Sequence, residues 1–521
     1  MGRVASAMTR SRAISVAASL AILMLLGFGV RLVLGMRTQI DADEAALALA
    51  GLHLNHGQFV LMEPDAQYLG ALDAYVSAPF IALLGPGLLA VRLALAVTGA
   101  LYVLSMYALG RVLFKSHRAG LLTAGVAAVF PLFAVYWSAK LRGGYVELPI
   151  FEAVALILCA RIGWGTRGWF RWWALLGFVV GLALWSDVLI AVVFAVIATA
   201  LLVRAPVTGW RRTLRGGALA CVTGLIGLAP WIAYNVPNHL HSIRAIPRAF
   251  TSFTGGVSAL VNDQLPVFVG GSSDCRHTIV PTAVSDGSLV ALLVAVLWLR
   301  RRSLRNIVSG GLSEFEPLDV CLVLVPATLI YLAVSRLDSI PCEPRYLMPL
   351  AVPLVIAVAT VLLVRWSGRW ISLVATAAWL TINVIAAAGS LPDMSDYAVG
   401  SRVPFDLGPG ISMIRAQHPT AVWAQFWLSH PLAYFSGDTL PIGEYGGYVG
   451  FPQRQMAVET ALHPSWVFVE GQAGMAELER VCHERGITYS KITGGGLVLY
   501  THLTGTVEPS DVIPGPAGRT D

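Results

Sequence analysis

Ala71–Leu84, ALDAYVSAPFIALL, runs straight into Gly85-Pro86-Gly87, and the topology of the whole chain turns on how this stretch is read. It is apolar for about 14 residues, short of the roughly 20 that a helix needs to cross a bilayer. Candidate spans, several of them short or interrupted by glycine, lie around it at 14–36, 88–110, 119–138, 146–161, 172–186, 188–204, 216–234, 286–299, 318–335, 346–364 and 370–389, predicting about eleven transmembrane helices. If Ala71–Leu84 does not span, alternate loops hold Arg3, Arg10 and Arg12; Arg111, Lys115 and Arg118; Arg161, Arg167 and Arg171; Arg204, Arg211, Arg212 and Arg215; Arg300, Arg301, Arg302 and Arg305; and Arg365 and Arg369. Basic residues collect in cytoplasmic loops, so this registration puts the N-terminus in the cytoplasm. Ala71–Leu84 then becomes an interfacial helix within an outer loop from Arg37 to Gly87.

Composition demands the same class. The 521 residues are 56% hydrophobic and 13% charged. A soluble globular chain carries roughly 25% charge, so lipid must solvate most of this one. The net charge of +6 is explained by topology, because the arginines sit in short loops between apolar runs, and nucleic acid is not an expected partner. Ala13–Met36 is longer than a signal-peptide core and lacks a small-residue cleavage site, so it is expected to stay as the first span. The expected location is the inner (plasma) membrane, multi-pass.

Beyond Ser390 the chain leaves the membrane on the outer side. Strand-like runs at Ala421–Leu428, Trp466–Glu470 and Gly496–Tyr500, with a helical stretch at Met475–Arg485, predict a small α/β domain over 391–505. The membrane domain is 1–390, and the Pro-, Gly- and Thr-rich tail at 506–521 is expected to be disordered. Cys159, Cys221 and Cys321 fall in spans and are expected to be buried. Cys275 and Cys342 lie in two outer loops, where a disulfide is possible. Cys482 has no obvious partner.

The ionisable residues outside the basic loops gather on the outer side. In a chain this poor in charge they need a partner or a function. Asp41, Asp43 and Glu44 open the first outer loop, followed by Glu63, Asp65 and Asp73. Asp41 or Asp43 can cap a surface helix whose dipole Glu44 complements. Either can also be a general base for a hydroxyl group. His53 and His56 with these acids could hold a divalent metal, although no cofactor is required. Lys140-Leu-Arg-Gly-Gly-Tyr-Val-Glu147 sets two cations beside a Gly-Gly pair, suited either to lipid headgroups or to a phosphate held close to the backbone. Glu343-Pro-Arg-Tyr-Leu-Met-Pro349 forms a third cluster, in which Arg345 and Tyr346 can be anchors and the prolines distort the span's start.

In this order and on one side of the membrane, the three clusters resemble lipid-linked sugar transferases of the GT-C fold. The likeness is to glycosyltransferase family 39, with its protein O-mannosyltransferases and bacterial aminoarabinose transferases. Asp43-Glu44-Ala45 to Gly57-Gln58-Phe59 is similar to that family's acidic loop. Tyr68 to Gly85 resembles its interfacial helix; Arg92, Gly110-Arg111 and Leu113-Phe114 resemble the following span. Two departures stand out: Asp41 is an extra acid, and Glu63-Pro64 is not followed by a second proline. The resemblance implies an inverting glycosyltransferase with a polyprenyl-phosphate sugar donor, working within the lipid bilayer on a glycan, lipid or protein acceptor. It implies a base at Asp43 (or Asp41), with Glu44 beside it. Donor phosphate falls to Lys140, Arg142 and Arg345, and substrate contacts to Tyr68, Tyr145, Glu147, Glu343 and Tyr346. The acidic loop and basic turns must then serve one outer cavity.

Two other classes handle similar material. A flippase would place its ionisable groups near mid-span within internal repeats, and neither is visible. An O-antigen ligase or polymerase needs outer arginines but no Asp-Glu loop after the first helix.

Overall fold

The computed structural model describes residues 2–165, 168–246, 252–269, 282–308, 315–335, 344–363, 403–446 and 449–512. The chain forms two compact units. One comprises Met1–Gly35, Tyr68–Gly70 and Leu95–Leu391; the other comprises Met36–Gln67, Ala71–Ala94 and Pro392–Asp521.

Among the described residues, Ala13–Met36, Leu88–Phe114, Trp169–Ser186, Pro317–Val334 and Pro344–Leu363 are long and apolar enough to cross a membrane. A sixth candidate is the pair Trp210–Gly227 and Ala229–Asn235, bent by 61°. Pro230 lies in the first turn of the second helix, so the break falls where an N–H is missing. The expected span 119–138 is not continuous. It divides into His117–Val129 and Leu132–Trp137, because the residue before Pro131 is driven out of the helical region; Phe130 is extended (φ −143°, ψ 149°). The expected spans 146–161 and 188–204 appear as Leu148–Gly163 and as a 3-10 turn leading into Ala191–Val203. Span 370–389, the loop arginines Arg167, Arg365 and Arg369, and the possible Cys275–Cys342 pair lie outside the described residues, as does 513–521 of the tail. Cys159 and Cys321 are buried as expected, whereas Cys221 is exposed, on a helix that packs by its glycine face.

The Trp169–Ser186 and Trp210–Gly227 helices pack in parallel through glycine. A Cβ on Gly177 would lie 2.0 Å from the Ala220 carbonyl oxygen, and one on Gly181 would lie 2.0 Å from that of Gly224. Only hydrogen fits at these crossings, which is how helix backbones approach closely in lipid.

In the other unit, Ala42–Asn55 packs against Leu72–Leu84 and against Phe426–Phe435. Gly51 permits the first of these contacts, since a Cβ there would be 2.8 Å from the Ser77 hydroxyl. The same unit contains a five-stranded sheet of order β2-β1-β3-β5-β4. Its strands are β1 (Val422–Gln425), β2 (Ile442–Tyr445), β3 (Ser465–Val469), β4 (Ser490–Gly494) and β5 (Leu497–Thr501). β1 runs parallel to β2 and β3, while β5 is antiparallel to β3 and β4. Alternation sorts the side chains: Val422, Val467, Val469, Leu497 and Leu499 face one core, and Trp423, Trp466, Phe468, Val498 and Tyr500 the other. The expected strand Ala421–Leu428 stops at Gln425, because a helix begins at Phe426.

Candidate active site

The acidic stretch divides its labour. Asp41 is the N-cap of Ala42–Asn55, and its Oδ1 accepts a hydrogen bond from the Glu44 amide at 3.1 Å. Glu44 is fully buried. Its carboxylate accepts the Arg92 guanidinium as a fork, at 2.5 and 3.2 Å. Arg92 also donates to the carbonyls of Thr38 and Gln39 (3.3 and 3.4 Å), so it ties the loop entry to the first helical turn. Asp43, in that first turn, is half-buried. His53 turns to Asp438, with Nε2 2.8 Å from Oδ2, while His56 is the exposed C-cap. Among the described residues no group of three or more His, Cys, Asp or Glu could hold a metal ion.

The expected phosphate turn is a compact structure. After the Leu132–Trp137 helix, Lys140 and Arg142 are 2% and 8% exposed, a burial that cations at a simple headgroup anchor would not show. Their charges lie over aromatic faces: Lys140 Nζ is 5.6 Å from the Tyr136 ring centre, and Arg142 Cζ is 5.0 Å from that of Trp137. Gly143 and Gly144 take positive φ of 45° and 85°, the left-handed conformation that favours glycine. Gly144 is needed twice over, as a Cβ there would be 2.5 Å from Ser186 Oγ. The Gly70 amide bonds the Ser186 carbonyl oxygen at 3.0 Å, so Tyr68–Gly70 and the Gly-Gly turn meet at the end of the Trp169–Ser186 helix.

The next residue is Asp187. It is 4% exposed, and its Oδ1 accepts from the Leu189 amide at 2.8 Å. Burial pushes its carboxyl up to about 7, against the opposing effects of that amide and of Arg345. Tyr145, also buried, is raised by burial and by the charge of Asp187; Arg345 opposes, and Tyr346 and Tyr68 contribute. Tyr68, Tyr145, Asp187, Arg345 and Tyr346 therefore form one electrostatic neighbourhood, with Glu147 buried at the end of the turn. Arg345 lies over Tyr346 at 5.3 Å. Glu343 lies outside the described residues.

A second polar cluster gave no local sequence signal. His430 is 1% exposed in Phe426–Phe435, with Nε2 3.2 Å from Asp65 Oδ2 and 3.0 Å from Glu444 Oε2. The Gly450 amide bonds Glu444 Oε1 at 2.8 Å, and a Cβ on Gly450 would be 2.0 Å from Asp65 Oδ1. Arg454 adds its charge beside Asp438, Glu444 and Asp65. Burial alone would lower the His430 pKa, but the two carboxylates outweigh it and raise it to about 9. Between the ordinary histidine value of about 6.5 and 9, the folded state therefore holds a proton that the unfolded chain releases. Stability from this cluster is complete below about 6.5 and is lost as pH rises through 9. The unfolding midpoint is expected to fall between pH 6.5 and 9, and His430→Gln is expected to flatten that slope. A wild-type midpoint that is level across this range would refute the assignment.

Residues 71–234 match the family described as dolichyl-phosphate-mannose-protein mannosyltransferase. No curated protein matches the sequence. Among solved structures, the chain is similar to ArnT from Cupriavidus metallidurans bound to undecaprenyl phosphate: 17% identity, TM-score 0.58, covering 93% of this chain and 97% of that one. The apo state of the same protein gives 16% and 0.59, covering 94% and 98%. The archaeal oligosaccharyltransferase AglB from Archaeoglobus fulgidus, in complex with an inhibitory peptide and a dolichol-phosphate, gives 11% and 0.50, covering 94% of this chain and 74% of that one. The chain is thus a mostly helical, multi-pass membrane protein with a small C-terminal sheet domain, as its apolar and strand-like runs predicted, and has the GT-C fold that the resemblance implied.

Proposed function

We propose that this chain is an inverting glycosyltransferase that moves a monosaccharide from a polyprenyl-phosphate donor to a glycan, lipid or protein acceptor on the outer face of the inner membrane. The observation that carries the reading is the Lys140–Glu147 turn. Inside the stretch that matches the mannosyltransferase family, it buries two cations on a turn shaped by two left-handed glycines. Lys140, Arg142 and Arg345 are assigned to the donor phosphate, and Tyr68, Tyr145, Glu147, Glu343 and Tyr346 to donor or acceptor contacts. A polyprenyl phosphate leaves without protonation, so the site needs cations for the departing charge and one base for the acceptor hydroxyl. Asp43 is assigned as that base. The acceptor oxygen attacks the anomeric carbon, its proton passes to the Asp43 carboxylate, and the bond to phosphate breaks with inversion. No metal is required. The N-terminus is assigned to the cytoplasm and residues 391–505 to the outer side.

The direct assay uses full-length protein in lipid with radiolabelled decaprenyl- and undecaprenyl-phosphate sugars. Wild type should bind one of them and release label from the carrier. Lys140→Met or Arg142→Met should weaken binding by about 10- to 100-fold, the worth of one charged hydrogen bond. If wild type neither binds nor turns over any such donor, the donor class is wrong.

A further inference from the structure

The first unit carries an apolar groove of about 690 Å³ between the Trp169–Ser186, Ala191–Val203 and Trp210–Gly227 helices, within the roughly 300–1,000 Å³ span of ligand pockets. It lies outside the Lys140–Glu147 neighbourhood, and the proposed chemistry makes no use of it. Trp173 and Thr213 line one end, and Leu184 and Leu228 the other. Its width has a local cause: Gly217, Ala218 and Cys221 line one wall and are too small to fill it. A Cβ on Gly217 would meet nothing within 4 Å.

Charge is confined to one end. The groove stripe Leu214, Ala218, Cys221 and Leu225 follows helical spacing. One turn before it on the same face comes Arg211, and Arg215 stands beside Leu214; both arginines are exposed. The two glycine-packed helices run parallel, so Arg171 starts the neighbouring helix at that end, where Arg212 lies 5.5 Å from the Trp169 ring. Helical side chains lean toward the N-terminus, which carries the Arg211 and Arg215 guanidinium groups beyond the apolar wall. An apolar slot with cations gathered at one mouth complements a chain with an anionic head.

We propose that this groove binds an anionic phospholipid, with an acyl chain between the helices and its phosphate at Arg211 and Arg215. The site is independent of the transferase reading. It differs from the proposed donor site in the face it opens on, since these arginines belong to the loops assigned to the cytoplasm.

The test uses delipidated full-length protein in detergent, with phosphatidylglycerol, phosphatidylcholine and undecaprenyl phosphate as probes. Binding is read by native mass spectrometry and by protection of Cys221 from alkylation in a Cys275→Ser/Cys342→Ser background. Phosphatidylglycerol should bind and slow alkylation. Arg211→Gln/Arg215→Gln should weaken it about 30-fold, taking a factor of roughly five per surface arginine. Gly217→Leu fills open space and replaces a helix-interior glycine, so it should fold at least as stably as wild type while losing the bound lipid. Equal binding of phosphatidylcholine, tighter binding of undecaprenyl phosphate, or unchanged phosphatidylglycerol binding by Gly217→Leu would each overturn the proposal. So would a wild-type dimer that Gly217→Leu dissolves with no effect of lipid, which would give the groove to a second copy of the chain.

Discussion

Asp43→Asn should abolish sugar transfer while the protein still folds and binds donor. Three acids stand within four residues. Asp41 spends an oxygen on the Glu44 amide as the helix cap, and Glu44 is buried in a fork with Arg92. Asp43 keeps partial exposure in the first helical turn, which suits a group that must meet an acceptor hydroxyl. Loss of a positioned general base costs roughly 10²- to 10⁴-fold, so the rate should fall by that factor with donor affinity little changed. Asp41→Asn is the matched control. Asparagine caps a helix about as well as aspartate, so transfer should stay near wild type. Single-turnover transfer of labelled sugar, scored beside donor binding, separates the two. Full transfer by Asp43→Asn with loss in Asp41→Asn would move the base to Asp41 and leave the mechanism otherwise intact.

Arg92→Met should destabilise the protein more than any single change within the acidic loop that Arg92 anchors. Both side chains of the Arg92–Glu44 pair are fully buried. Removing the cation strands a carboxylate in a low-dielectric site, which costs about 3–5 kcal/mol. A substantial fall in the thermal unfolding midpoint in detergent is the expected readout. The double variant Glu44→Leu/Arg92→Met removes both charges and should recover most of the loss, since an apolar pair often replaces a buried ion pair at little cost. Recovery stays partial because the Thr38 and Gln39 carbonyls lose a donor. If the double variant also transfers sugar, Glu44 is structural and not catalytic. An Arg92→Met midpoint equal to wild type would dismiss the pair as a stabilising element.

The central strands were legible and the edge strands were not, for one reason. β1, β3 and β5 are buried on both faces, so they read as unbroken apolar runs such as Trp466-Val467-Phe468-Val469. β2, Ile442-Gly443-Glu444-Tyr445, and β4, Ser490-Lys491-Ile492-Thr493-Gly494, stand at the sheet edges and carry too few apolar residues to signal. The apolar helices were legible in place, whereas the break at Phe130–Pro131 was not, because the apolar composition runs on unbroken across it. Lys140, Arg142, Tyr145 and Glu147 were found together because they are neighbours in sequence. Asp65, His430 and Glu444 were not, because no pattern joins a loop acid to a histidine 365 positions later in an apolar helix.

Sequence by itself determined the membrane class, where the described apolar helices fall and the order of the polar clusters. Lipid as a solvent dictates run length and charge placement residue by residue, with no reference to distant partners. Tertiary structure alone decided how each acid is held. Whether a carboxylate caps a helix, faces an arginine 48 residues away or keeps access to solvent depends on backbone direction and packing, and Asp41, Asp43 and Glu44 are chemically too alike for their order in the chain to say.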